Sequence, residues 1–178
     1  ASGSSVVSNR RSYNTMMKGF AVQCDLENAK SLFSEMQRLR HCDSISVNTL
    51  VHAAVKADDF VFAEEILSLH TSKRKEQHKQ HPNVEAYSEL LDGYAKAGQL
   101  DRALQIFHVM QERQVEANEI TFACLLRGMS AAMKLDSARK MLEYMESTGL
   151  RPTVKSYNAL IYGLVSEKSV KLFGECAT

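Results

Sequence analysis

Apolar residues recur along this chain at helical spacing, in runs of about a dozen residues separated by short polar or glycine-containing breaks. From residue 84, Tyr87, Leu90, Leu91 and Tyr94 share one helical face, and Lys96-Ala97-Gly98-Gln99 interrupts the run. A second stripe follows, with Leu100, Ala103, Leu104, Ile106, Phe107 and Met110. The spacing predicts two helices joined by a tight turn, packed antiparallel. One such pair cannot bury its own apolar face, so neighbouring pairs must stack and share a core.

The pattern is periodic. Residues 84–118 and 119–153 are the same 35-residue unit written twice, with Tyr87 matching Phe122, Leu90 Leu125, Gly93 Gly128, Leu100 Leu135, Ala103 Ala138 and Met110 Met145. Self-similarity at this period is the signature of a solenoid. The unit extends in both directions: residues 10–43 carry Tyr13, Met16, Gly19, Leu26, Ala29 and Met36 in the same places, and residues 44–83 carry Val47, Ala53, Phe60 and Ala63. The second unit is 40 residues long against 34 for the first, and its extra residues fall within 71–81. A fifth first helix begins after Thr153, with Tyr157, Leu160 and Gly163 in register, and Ser169–Phe173 reads either as a second helix arriving early or as the mark of a chain cut or capped here. Pro82 and Pro152 each stand two residues before a new unit and mark the boundary. The expected fold is therefore all-α, an α-α superhelix of stacked antiparallel helix pairs. A leader of residues 1–9 precedes one repeat domain over 10–178, with units 10–43, 44–83, 84–118, 119–153 and a partial 154–178. Asp101 and Asp136 lie in the first turn of a second helix, where a carboxylate suits the positive end of the dipole. Glycine in mid-helix costs about 1 kcal/mol relative to alanine, so its recurrence at 93 and 128 predicts that the paired helix crosses there.

Composition narrows the chemistry. The formal net charge of +1 gives no global basic field, so nucleic-acid contact must be argued from local residues. Cys24, Cys42, Cys124 and Cys176 are scattered without a C-x-x-C, which suits small buried thiols in a reducing compartment rather than a disulfide frame or zinc site. No apolar run is long enough to cross a membrane. The chain has no initiator Met, and any targeting peptide is expected to be already removed or not included.

Four segments carry a family resemblance: Tyr13-Asn14-Thr15, Tyr157-Asn158-Ala159-Leu160-Ile161, Lys96-Ala97-Gly98-Gln99-Leu100-Asp101-Arg102-Ala103 and Thr148-Gly149-Leu150-Arg151-Pro152. With them the chain resembles the pentatricopeptide repeat proteins over roughly Arg10 to Cys176. The tetratricopeptide pattern of Trp, Leu-Gly and Tyr is absent. The resemblance implies binding of single-stranded RNA along a groove lined by the first helices, one base per repeat. It also implies that two side chains select each base, one early in the first helix and one at the end of the repeat. Matched to the motif, these are Asn14 with Asp43, Asn48 with Asn83, and Ser88 with Asn118. Ala123 with Thr153 departs from the pattern and should read nothing, and Asn158 has no visible partner. On the family's pairing rules the first pair favours U, the second a pyrimidine and the third A. Ile45 and Ile120 fit the aliphatic position that flanks the base, whereas Arg11, Glu85 and Lys155 do not. Lys56 and Lys96 fit the late lysine that meets phosphate, whereas Val22 and Ala131 do not. With so few cations, affinity should be modest.

Other features have plainer readings. The aromatic and Met stripe of Tyr13, Phe33, Met36, Tyr87, Phe107, Met110, Phe122 and Met145 falls between helices and reads as core, not as a stacking surface. The dense basic run at 72–81 reads as a solvated extension of a second helix before it reads as an RNA contact. His70, His78 and His81 lack a cysteine or carboxylate to complete a metal site, so no metal or other cofactor is expected. Asp58-Asp59 and Glu64-Glu65 sit where a turn and a helix start call for carboxylates. No phosphate loop, H-x-E with C-x-x-C, or G-x-S-x-G is present, and the chain is not expected to be an enzyme. The expectation is thus an organellar (mitochondrial or chloroplast) RNA-binding module of an RNA-processing, splicing or expression factor, working with protein partners. Its rivals are a protein-interaction scaffold within an organellar ribonucleoprotein, and the RNA-recruiting fragment of a larger enzyme such as protein-only ribonuclease P.

Overall fold

The computed structural model describes residues 10–72 and 84–165. Among them the backbone forms nine helices and no strand: α1 Arg10–Val22, α2 Leu26–Arg38, α3 Ser44–Lys56, α4 Phe60–Ser72, α5 Val84–Lys96, α6 Leu100–Glu112, α7 Glu119–Ala131, α8 Leu135–Ser147 and α9 Val154–Val165. The all-α expectation holds. Helices α1 to α8 are each 13 residues long although the repeats that contain them differ in length, so the variation lies in the connections. The stretch assigned to the extra residues, 71–81, keeps α4 helical through Ser72, and its remainder lies outside the described residues. The same is true of the early second helix at 169–173.

The chain divides into two compact units, one ending at Ala86 and the other beginning at Tyr87. In the first, α1 packs on α2 and α3, α2 also meets α3, and α3 packs on α4. In the second, α7 packs on α6, α8 and α9. First helices therefore lie beside first helices, with second helices behind them. The core is the one the periodicity requires: Met17, Phe33, Met36, Leu50 and Val51 are buried in the first unit, and Tyr87, Leu90, Leu91, Phe107, Met110, Phe122, Leu125 and Met145 in the second. Phe107, Phe122 and Tyr144 stack edge-on or tilted with centroids 5.9 to 6.3 Å apart. The aromatic and Met stripe is core, as expected. Tyr157, in register with Tyr13 and Tyr87, is an exception at 51% exposure.

Caps and turns follow local chemistry. Asp25 accepts from the Asn28 amide at the start of α2, and Asp59 accepts from the Phe62 amide at 3.2 Å at the start of α4. Asp58, its neighbour, occupies the turn with φ of 56°. The pair thus falls at the turn and the helix start, where Asp59 supplies the cap. The turn between the two helices of each repeat carries one residue of positive φ at the same place: Cys24 and Asp58 at 56°, Gly98 at 73° and Met133 at 56°. A left-handed conformation costs a non-glycine residue about 1–2 kcal/mol. Three of these four turns accept that cost, so packing of the flanking helices, not local preference, sets the turn.

The mid-helix glycine behaves differently from its expectation. A Cβ on Gly128 would lie 3.0 Å from Ala95 Cβ and 3.5 Å from Leu100 Cδ1. The close approach comes from α5, the first helix of the preceding repeat, and not from α8, the partner helix. A Cβ on Gly19 would meet nothing within 4 Å, and α1 is the first helix described. The glycine is therefore required by helix stacking between repeats. Two substitutions separate these cases in thermal melts. Gly128→Leu should overpack α5 and destabilise by about 1–3 kcal/mol, whereas Gly19→Ala should stabilise by up to about 1 kcal/mol through helix propensity alone. Equal shifts would mean that α5 and α7 do not approach at Gly128.

Candidate nucleic-acid interface

The repeat-end residue is the N-cap of the next first helix. Asp43, at φ −133° and ψ −177°, caps α3; Asn118, at φ −112° and ψ 179°, caps α7. In both, the side-chain oxygen accepts from the backbone N–H three residues on, and the hydroxyl of that residue accepts from the cap's own N–H. Ser46 and Thr121 supply these hydroxyls, and both are fully buried. This reciprocal box satisfies donors at the helix start that have no intrahelical partner. It also fixes the rotamer of the residue matched to base selection.

The three proposed pairs fare differently. Asn14 and Asp43 are brought together: Asn14 Nδ2 donates to both carboxylate oxygens, at 3.3 and 3.2 Å. A carboxylate only accepts, so this contact fixes which way the amide faces. Asn14 Oδ1 is left buried and without a partner. Arg10 Nε stands 4.0 Å from Asp43 Oδ2, an oxygen that Asn14 also reaches. Ser88 and Asn118 are joined through Thr121, whose Oγ1 lies 2.8 Å from Ser88 Oγ and 3.1 Å from Asn118 Oδ1. The Asn118 oxygen is thus occupied by the cap and its Nδ2 remains available. Asn48 Nδ2 donates to Glu85 at 3.0 Å, and its Oδ1 is again buried and unpartnered. Asn83 lies outside the described residues. Ala123 is partly buried and offers no polar atom, while Thr153 donates to Glu119. Asn158 is exposed on α9.

The flanking positions follow. Ile45 and Ile120 are 50% and 58% exposed, each in the first turn after its cap, and present apolar surface beside the polar pair. Lys56 closes α3 and is exposed. Lys96 closes α5, and its Nζ lies 2.6 Å from Asp92 Oδ2. The other oxygen of Asp92 pairs with Nη2 of Arg127 on α7. Burial lowers the Arg127 guanidinium below its ordinary pKa, with Tyr162 acting the other way. Burial also pushes the Cys124 thiol up to about 11, which marks it as an inert core group. A cavity of about 540 Å³ between α6, α7 and α8 is lined by Phe107, Gln111, Phe122 and Tyr144 and contains none of the matched residues. Among the described residues, no three His, Cys, Asp or Glu side chains group as metal ligands, and no helix is long and apolar enough to cross a membrane.

Sequence reasoning missed Ser46, Thr121, Glu85 as a partner of Asn48, and the Asp92–Arg127 pair. The first two had a signal: a Ser or Thr three residues after Asp43 or Asn118 completes a capping box. The last two join residues 37 and 35 apart and depend on how first helices pack. The box makes a stability claim of its own. Asn118→Ala should lower stability by about 1 kcal/mol, read from the urea midpoint, and Asn118→Asp should restore it, since a carboxylate accepts from the Thr121 amide equally well. Loss of stability in both variants would mean that the cap is not what holds this junction.

Three family models match the chain: the PPR repeat over residues 11–41, the PPR repeat family over 82–131 and the pentatricopeptide repeat domain over 110–167. A chloroplastic pentatricopeptide repeat-containing protein of Arabidopsis thaliana is 32% identical over 115 residues, 62% of this chain and 15% of that protein. The chain spans no more than a third of the length of the Arabidopsis relatives it matches. The pentatricopeptide repeat protein PPR10 from maize superposes with a TM-score of 0.74 at 22% identity, over 94% of this chain and 24% of that one. PPR10 in complex with an 18-nt psaJ RNA element gives 0.71 at 23% identity, over 85% and 22%. The PPR domain of Arabidopsis thaliana protein-only RNase P 1, in complex with tRNA, gives 0.66 at 17% identity, over 91% and 83%. These likenesses carry the fold, an α-α solenoid of helix pairs. With the repeats, their capped junctions and the matched models taken together, the chain belongs to the pentatricopeptide repeat family.

Proposed function

We propose that this chain is a single-stranded RNA-binding module that reads roughly one base per repeat through Asn14/Asp43, Asn48/Asn83 and Ser88/Asn118, with Asn158 in the fifth repeat. Ile45 and Ile120 flank the base, and Lys56 and Lys96 serve the phosphates. The observation that carries the reading is the unsatisfied edge of the pairs. A buried acceptor without a partner costs about 1–3 kcal/mol, and Asn14 Oδ1 and Asn48 Oδ1 both stand in that state. A base edge would satisfy them once the amides turned outward, because an unstacked base offers its Watson–Crick donors and acceptors to side chains. Uracil presents one N–H between two carbonyls, which suits an acceptor flanked by an Asn amide. At the Ser88/Asn118 pair the available group is a donor, Nδ2, which matches the N1 acceptor of adenine and opposes the N1–H of guanine.

PPR10 and the protein-only RNase P 1 domain were solved with RNA, and the first Arabidopsis relative is chloroplastic. These support an organellar module that binds RNA for a processing, splicing or expression factor, with the chemistry, where there is any, supplied by another domain or partner. A second reading, a scaffold inside a ribonucleoprotein, draws on the fourth repeat. There Ala123 presents no hydrogen-bonding group, and Thr153 is occupied by Glu119.

Read from the 5′ end, the pairs give U, pyrimidine, A, any base, pyrimidine. Competition among short RNAs should show weak but selective binding of U-U-A-N-U, each good base contact contributing about 1–3 kcal/mol. Asn118→Asp replaces the donor with an acceptor and should move the third preference from A toward G. If neither protein distinguishes U-U-A-N-U from a scrambled control, base reading is wrong and the scaffold reading takes its place.

A further inference from the structure

The Asp92–Arg127 pair is not explained by base reading, yet it lies on the same faces. Asp92 is one turn beyond Ser88 on α5 and one turn before Lys96; Arg127 is one turn beyond Ala123 on α7. Residues four apart lie on one side of a helix, so the carboxylate and both cations continue the rows that begin with the matched residues. We propose that Arg127 is a phosphate-contacting cation of the fourth repeat, and that Asp92 holds it in reserve by competing with phosphate for the same guanidinium edge.

Three observations carry this. Arg127 Nη2 is ion-paired with Asp92 Oδ1, and neither that oxygen nor Arg127 Nε, both buried, has a hydrogen-bond partner. The adjacent Nε and Nη2 donors form the fork that takes a carboxylate or a phosphate through two parallel hydrogen bonds. Asp92 fills only part of it. An incoming phosphate would have to displace the carboxylate from Nη2, and Nε, which has no accessible surface, would join only once the guanidinium had turned outward. The site is partly open to solvent: Arg127 and Asp92 side chains are 27% and 21% exposed, and Lys96 is 68% exposed, although Arg127 Nε and Asp92 Oδ1 are themselves covered. Finally, Asp92 is paired with two cations at once, Lys96 at 2.6 Å and Arg127. One positive charge is therefore left over, and Asp92 cancels the other. The fourth repeat, which has no base-reading group at Ala123, would then contribute a sequence-independent backbone contact in its place. Phosphate contacts position a strand without specifying it.

This inference rests on the RNA-binding reading, and the experiment separates the two. The probes are U-U-A-N-U RNA and its scrambled control, titrated at several salt concentrations against wild type, Asp92→Asn, Arg127→Gln and the double variant. The Asn side chain keeps the shape and an acceptor oxygen while removing the charge. Asp92→Asn should bind both RNAs roughly three- to tenfold more tightly, with a salt slope steeper by about 0.7 for one added phosphate contact. Arg127→Gln should bind both more weakly with a flatter slope, and the double variant should match Arg127→Gln. Wild-type affinity and slope in Asp92→Asn, in a protein that binds RNA, would overturn the proposal and leave the pair as a brace between α5 and α7. Equal binding of the two RNAs by wild type, with the slope changes intact, would sink base reading but keep the phosphate contact. Absence of binding to either RNA by every protein overturns both. Should Asp92→Asn melt below the assay temperature, Arg127→Gln is compared with Lys96→Gln; the proposal requires the larger loss of slope at Arg127, and equal slopes overturn it.

Discussion

The residue that ends one repeat must also cap the first helix of the next, and the site depends on that double duty. An N-cap needs an extended backbone and a short side chain with an acceptor, which restricts the position to residues such as Asp, Asn, Ser and Thr. Asp43 and Asn118 meet the demand in the same way, with oxygens tied to the backbone of Ser46 and Thr121. The cap consumes one polar atom and leaves the other on the outer side. What varies between repeats is whether that remaining atom is a carboxylate oxygen or an amide nitrogen. Asp43 directs its second oxygen to Asn14, whereas Asn118 keeps a donor available. Helix capping therefore supplies the geometry, and the choice of Asp or Asn at a capped position supplies the chemistry.

That junction holds its place because the first helices stack closely. Gly128 faces Ala95 so closely that an added Cβ would lie 3.0 Å from the Ala95 Cβ, and Ser88 reaches Thr121 within the same pair of helices. The turns within repeats yield to this packing. Cys24, Asp58 and Met133 all adopt the left-handed backbone that Gly98 takes without strain. A turn of fixed length joining helices of fixed length admits one conformation, and the side chain at that place matters less than the register.

This order of control explains what the sequence disclosed. The helix pairs, their boundaries and the core were legible, since each follows from a period and from burial: Tyr87 and Phe122, 35 residues apart, are both buried to within 1%. The meaning of the mid-helix glycine was not. Spacing showed that residue 128 needed to be small, but only the packed helices show that the neighbour is α5 and that Gly19 has none. Of the site, the matched residues were readable from the motif, and two of the pairs are joined by hydrogen bonds, directly or through Thr121. The partners of those residues on adjacent first helices were not readable, because a repeat compared only with itself contains no information about which side chains face across the seam.

Those seam contacts also bear on how the face would treat a polyanion. Glu85 takes the Asn48 amide, Asp92 takes Arg127 and Lys96, and Glu119 takes Thr153 and lies 3.8 Å from Lys155. Each carboxylate projects from a first helix at or next to the rows matched to base reading, so most cations there already have an anionic neighbour. Around these first-helix carboxylates charge is therefore nearly balanced locally, as it is across the whole sequence. Attraction for phosphate is correspondingly weak and short-ranged, because paired charges present a dipole rather than a monopole to an approaching strand. On the RNA-binding reading proposed above, discrimination would have to come from hydrogen bonds to the first-helix amides and their junction partners, among which Asn14 Oδ1 and Asn48 Oδ1 lack partners. On that reading the surface would trade affinity for selectivity: a strand that left those acceptors unmet would gain little from the backbone contacts alone.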